Sequence, residues 1–346
     1  MRRRSWATAA GLILLAAGCG SDGSSATGGE AGVATTGPAT TTTGATPTAA
    51  PGTTVPDTSV PDATVPETTA EPTTATPPTG ITTGPTYEVD VTRDLVFGTG
   101  ALREGEKQLM ANLFVPVDAP GPHPVIVYIP GGGFQQADHA CCDALLTALA
   151  ERGLVAVTLE YRVQSEDPIP SERVGAIYDA VGGAEGSGLG RAIATAVEDS
   201  LLGIEWLVAQ SDELDLDLDR VVVSGGSAGA ITANHVAYTA DDFDFERPPL
   251  AAVVDLWGGF TLANPSDVVT GDEPPVFIVH GTADNIVSYQ FTEDLVAAAD
   301  AAGLAYELHP VEGAGHGVDL MTTTADDDVL LFDHLVRWLQ ETLDPA

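Results

Sequence analysis

Several stretches of this chain are unbroken apolar runs that break off into glycine: "PVIVYIPGGG", "VVVSGGSAG" and "PVFIVHG". An apolar run without polar alternation suits a strand buried on both faces, as in a parallel sheet. Such a strand needs a layer of helices above and below it, and a parallel neighbour needs a crossover connection. The rest of the sequence supplies both. Candidate strands fall at 89–97, 108–115, 124–129, 154–160, 221–224, 251–256, 275–280 and 305–311. Helical patterns fall between and after them at 144–151, 189–209, 228–238, 291–302 and 329–342. A short glycine-containing turn separates the first two strands and predicts an antiparallel entry. The fold class is α/β, a mostly parallel sheet with helices on both faces.

This pattern occupies only residues 87–346. Residues 1–19 have the layout of an export signal: Arg2, Arg3 and Arg4, then an apolar run, then small residues closing on Cys19. The ending resembles a bacterial lipobox, with Ala16 where leucine is usual, and that resemblance implies lipid attachment at Cys19. Residues 20–86 are rich in threonine, proline, alanine and glycine, and repeat Val-Pro-Asp/Glu units at Val55, Val60 and Val65. Such a composition cannot bury a core and reads as a disordered stalk. The expected location is the outer face of the cell membrane, reached through a lipid anchor, with plain secretion as the alternative. A formal charge of −37, with Lys107 the single lysine, excludes nucleic acid as a partner. It also suits a saline environment.

The glycine clusters carry the chemistry. Gly225-Gly226-Ser227-Ala228-Gly229 is a G-x-S-x-G pentapeptide between a strand and a helix, the pattern of a nucleophile elbow. A serine hydroxyl needs a base, and the base an orienting acid. Asp284 follows the strand that ends at His280, and His316 sits among glycines after the next strand. Pro130-Gly131-Gly132-Gly133-Phe134 follows an earlier buried strand, and consecutive glycines can turn backbone N–H groups onto an oxyanion.

In this order the clusters resemble those of the α/β-hydrolases. Within them the chain is most similar to bacterial carboxylesterases and feruloyl-esterase-like enzymes with an HGGGF-type loop and a GxSAG elbow. The resemblance covers essentially all of residues 87–346 and implies an α/β-hydrolase fold. It implies Ser227 as nucleophile, His316 as general base and acid, and Asp284 as the residue that orients His316. It also implies an oxyanion hole from the N–H groups of Gly132, Gly133 and Ala228. The implied activity is serine carboxylic-ester hydrolysis through an acyl-enzyme, on small or polysaccharide-borne esters, with no metal or organic cofactor. The chain departs from the pattern at Pro130, where the family usually has a bracing histidine, so the loop must be held another way. A serine peptidase of the same fold and a non-catalytic surface binding protein are the alternatives. The intact Ser227, Asp284 and His316 argue against the second.

Other residues read as follows. His280 is expected to be a structural histidine at a strand end, and Asp255 is a fallback acid. Asp319 is expected at the surface, and Asp215 to Asp219 as a solvated turn into the next strand, without the glycine and distant glutamate of a calcium loop. Trp257 and Phe134 suit either a substrate pocket or the core. Cys141 and Cys142 are either two thiols or a strained vicinal disulfide. The segment from Val163 to Gly188 is expected to be a mobile cover.

Overall fold

A computed structural model describes residues 82–84, 86–239 and 242–344. The export signal, Cys19 and almost all of the stalk lie outside the described residues.

The chain opens with β1 (Val89–Ala101) and β2 (Glu106–Pro116), which pair antiparallel through a tight turn. Then come β3 (His123–Ile129), α1 (Asp143–Ala150) and β4 (Val155–Leu159). After a winding segment with α2 (Gly175–Ala180) follow α3 (Gly188–Ala209), β5 (Leu216–Gly226) and α4 (Ala228–Tyr238). The last part holds β6 (Leu250–Leu256), the short α5 (Pro265–Val268), β7 (Val276–Gly281), α6 (Gln290–Ala302), β8 (Tyr306–Val311) and α7 (Leu331–Leu343). The eight strands form one sheet in the order β1-β2-β4-β3-β5-β6-β7-β8. Only the β1–β2 and β2–β4 pairings are antiparallel.

The unbroken runs behave as their pattern predicts. Every residue of β3, β4 and β7 is buried. Successive side chains go to opposite faces. Val125, Val127 and Ile129 enter the core beneath α3 and α4, while Ile126 and Tyr128 enter the core shared with α1 and α7. Each such aliphatic side chain contributes about 1.5–3 kcal/mol by leaving water. All of α4 is buried, which explains a sequence, "AGAITANHVAY", without a charged face.

Two expectations need correction. The acidic stretch before Val221 is not a turn: Leu216–Asp219 already belongs to β5, with Leu216 opposite His123. Its Leu-Asp alternation is that of a strand end with one wet face. The segment expected to be a loose cover is instead heavily tied. Lys107 Nζ bridges Glu160 (2.9 Å) and Glu166 (2.8 Å), and Asp167 pairs with both Arg103 and Arg191. Arg173 reaches Glu205 at 2.6 Å. Beneath them lies Arg162, 1 % exposed, whose guanidinium holds both oxygens of Asp199 and the carboxylate of Glu198. It also donates to the carbonyls of Ala101 and Ile169, both at 2.9 Å. Burial pushes the Asp199 carboxyl up to about 6, against the opposing pull of Arg162.

Candidate active site

The glycine clusters all stand at the carboxyl ends of strands, where open α/β sheets present their crevice. The turn at Ser227 is sharp. Its backbone has φ 56° and ψ −120°, a region non-glycine residues rarely adopt. The surroundings enforce it. Ser227 N–H donates to the Leu256 carbonyl at 2.9 Å, and Ser227 stands immediately before α4. A Cβ at Gly229 would overlap the Ile129 carbonyl oxygen, and one at Gly225 would overlap the Gly229 backbone. These two glycines are therefore required by close approach of backbone to backbone.

Two further loops are locked back to back. Ala283 N–H donates to the Ala314 carbonyl (2.9 Å), and Gly313 N–H to the Thr282 hydroxyl (2.8 Å). This brings residues 89 apart in sequence together: His316 Nε2 lies 2.8 Å from Ser227 Oγ. On its other side His316 Nδ1 lies 2.7 Å from Asp284 Oδ2. An ionised carboxylate only accepts, so the ring proton sits on Nδ1, and Nε2 is free to accept from the serine hydroxyl. The Asp284 side chain is fully buried, and that of His316 is 14 % exposed.

Asp284 is held by more than His316. Its Oδ1 accepts from the N–H groups of Ile286 (2.8 Å) and Val287 (3.0 Å). Its Oδ2 also lies 3.2 Å from His280 Nε2, which is 2.9 Å from the Val287 carbonyl. Both neighbours are acceptors, so Nε2 carries the proton, and Nδ1 accepts from the Thr292 hydroxyl at 2.7 Å. His280 is thus a direct partner of Asp284. Sequence reasoning read it as structural; the available signal was its place at a strand end four residues before that aspartate.

The fallback acid is engaged elsewhere. Asp255 is buried at the end of β6, where Oδ2 accepts from Asn234 (2.7 Å) and Oδ1 from Gly258 N–H (2.8 Å). Burial raises its pKa. Asp319 is exposed and accepts from Met321 N–H and the Thr322 hydroxyl in a local turn.

The Pro130 loop packs onto the elbow: a Cβ at Gly131 would lie 2.9 Å from the Gly226 carbonyl oxygen and 3.4 Å from Ser227 Cβ. The Gly132 carbonyl accepts from Gln135 (3.0 Å) and Gln136 (3.2 Å), closing a turn through φ 120° at Gly132 and 61° at Gly133. Among the described residues the N–H groups of Gly132, Gly133 and Ala228 have no backbone partner. Tyr161, just past β4, supplies the brace. Its hydroxyl lies 3.3 Å from the Gly131 carbonyl and 3.1 Å from that of Gln136. Gln164 adds a backbone bond to the Phe134 carbonyl (2.8 Å) and a side-chain contact with Gln135. Phe134 itself is fully buried against Tyr161 and belongs to the core. Trp257 is half-buried beside the elbow, its ring 3.2 Å from where a Gly226 Cβ would stand. The thiols of Cys141 and Cys142 stand before α1; hydrogen bonds from Cys141 and Tyr128 lower the pKa of Cys142.

Comparison with known proteins gives a consistent picture. The family described as "alpha/beta hydrolase fold" matches residues 191–267, and the "Prolyl oligopeptidase family" matches residues 259–345. Esterase LipC of Mycobacterium tuberculosis is 24 % identical over 245 residues, 58 % of this chain and 54 % of the relative. Probable carboxylesterase 3 of Arabidopsis thaliana is 23 % identical over 246 residues, 67 % of this chain and 65 % of the relative. The chain spans about half the length of the mycobacterial esterases LipC and LipM. Among solved structures, the α/β hydrolase enzyme MGS-M1 from a Medee basin deep-sea metagenome superposes with a TM-score of 0.54 at 19 % identity. That match covers 75 % of this chain and 99 % of the other. Thermogutta terrifontis esterase 2, phosphorylated by paraoxon, superposes with a TM-score of 0.51 at 24 % identity, covering 73 % and 92 %.

Proposed function

This chain has the α/β-hydrolase fold, and on that premise we propose that it is a serine carboxylic-ester hydrolase working through an acyl-enzyme. The observation that carries the reading is the unbroken relay of contacts from Ser227 Oγ through His316 to Asp284. Ser227 attacks the ester carbonyl while His316 Nε2 takes its proton. Asp284 accepts from Nδ1–H and stabilises the imidazolium that forms. The developing oxyanion is met by the N–H groups of Gly132, Gly133 and Ala228, the last at the N-terminus of an eleven-residue helix whose dipole favours negative charge. His316 then delivers the proton to the leaving alcohol, and a water, activated in the same way, releases the acid. The esterase names of the relatives support an ester substrate. We assign small and polymer-borne esters as the class, presented to a protein exported by residues 1–19 and held by a lipid on Cys19.

The test is hydrolysis of p-nitrophenyl acetate and butyrate by the full chain beside Ser227→Ala. Turnover in the parent with a loss of roughly six orders of magnitude in the variant, to the background rate, supports the reading. Equal background rates in both refute it. A second reading, a serine peptidase of the same fold, is favoured by the prolyl oligopeptidase match across Asp284 and His316. Cleavage of a peptide panel without ester turnover would select it. Labelling with a fatty-acid probe that Cys19→Ala abolishes tests the anchor.

A further inference from the structure

Away from the carboxyl ends of the strands, Glu307, His309 and His334 converge between edge strand β8 and α7, their ligand atoms all within 4.8 Å of one another. Glu307 Oε1 is 2.7 Å from His309 Nε2 and 4.0 Å from His334 Nδ1. A tetrahedral ion with bonds near 2.1 Å spaces its ligands about 3.4 Å apart, between those two separations. A second feature fixes the third ligand. His334 Nε2 donates to Asp327 Oδ1 at 3.0 Å, and Val329 N–H holds the same oxygen at 3.2 Å. That bond places the ring proton on Nε2 and leaves the Nδ1 lone pair facing the cluster, the carboxylate–histidine arrangement that orients metal-ligating imidazoles. The position is already occupied by positive charge. Arg337 Nη2 donates to His334 Nδ1 at 2.7 Å and to Glu307 Oε1 at 3.3 Å. The Arg337 side chain is 46 % exposed, whereas that of His334 is 5 % exposed. The guanidinium can therefore swing into solvent while the ligands stay.

We propose that Glu307, His309 and His334 form a site for a borderline divalent ion of the zinc type, with Asp327 as its orienting carboxylate and Arg337 as the cation it displaces. One carboxylate and two imidazoles suit zinc over calcium or magnesium, which prefer all-oxygen shells. A bound ion would cross-link the sheet edge to the C-terminal helix. It takes no part in ester hydrolysis, so the inference stands apart from that reading.

The test is zinc titration of the full chain by calorimetry in millimolar magnesium, which occupies the general carboxylate surface, with cobalt substitution as a spectroscopic readout. The expected result is one ion per chain, an intense visible cobalt band of tetrahedral geometry, and a raised Tm. His309→Ala and Glu307→Gln, both at half-buried positions, should abolish the band while folding unchanged by circular dichroism. Asp327→Asn should weaken binding by about 10–100-fold. Arg337→Ala should bind several-fold more tightly. Absence of stoichiometric binding overturns the proposal. So does binding that His309→Ala and Glu307→Gln leave intact, or weaker binding by Arg337→Ala.

Discussion

The hydroxyl of Tyr161 reaches the carbonyl oxygen of Gly131, the residue that packs directly against Ser227. The brace on the glycine loop therefore comes from the end of a neighbouring strand, and Pro130 needs no polar side chain of its own.

Tyr161→Phe removes that hydroxyl while keeping the ring against Phe134. A net hydrogen bond is worth about 1 kcal/mol, so kcat should fall roughly five- to tenfold with KM nearly unchanged. Steady-state kinetics on p-nitrophenyl butyrate checks this. A drop in Tm at unaltered kcat would mean that Tyr161 only stabilises the fold.

His280 orients Asp284 in the same indirect way. His280→Leu removes a donor from Oδ2, and misplacing a reacting group by an ångström can cost about 10²-fold. His280→Gln, which keeps an N–H donor, should retain more activity than His280→Leu at matched stability. Equal losses in both would assign His280 to packing alone.

The clamp around Arg162 makes a stability prediction. Asp199→Ala leaves a buried guanidinium short of its main partner and should cost about 3–5 kcal/mol. Replacing the pair together, Arg162→Met with Asp199→Leu, should cost less than that single change. Urea unfolding of the three proteins measures the difference.

Burial lowers the pKa of His235 to about 3, whereas an unfolded histidine titrates near 6.5. The folded pKa is the depressed one, so the unfolded chain binds the proton first. The stability linked to His235 is complete above about pH 6.5 and is lost as pH falls towards 3, by about 1.4 kcal/mol per pH unit. His123, lowered chiefly by burial, acts in the same direction. Asp199 acts in the opposite sense, so the contribution must be isolated: His235→Gln should flatten the stability profile between pH 6 and 4.

The strand runs were legible because "PVIVYI" and "VFIVHG" are short, rich in β-branched residues and closed by proline or glycine, which suits a strand buried on both faces. The clusters before α1 and at the elbow were legible because close backbone contacts at Gly131, Gly132, Gly225 and Gly229 tolerate nothing larger, whereas Gly313 and Gly317 beside His316 stand in open space with positive φ. What escaped is long-range or ambiguous. Leu216–Asp219 alternates too briefly, and among too many acids, to stand out as strand. Tyr161 and Arg162 lie next to each other in sequence, but one reaches Gly131 and the other Asp199, and no local pattern encodes either partner. The segment from Val163 to Gly188 looked loose because its glycines and acids were visible, while Arg103, Lys107, Arg162 and Arg191, which tie it, lie elsewhere in the chain.

The ion pairs around that segment have an electrostatic consequence for encounter. Arg103, Lys107, Arg162, Arg173 and Arg191 all have carboxylate partners there. With so few cations in a chain of charge −37, and these paired with carboxylates, the long-range field is strongly negative. Esters bearing a free carboxylate or phosphate meet that field as a barrier, and neutral ones do not. Added salt shortens the reach of the field to about 10 Å at 0.1 M and narrows the difference. On the proposed ester-hydrolase reading, such a field sorts esters by charge before any of them reaches the crevice.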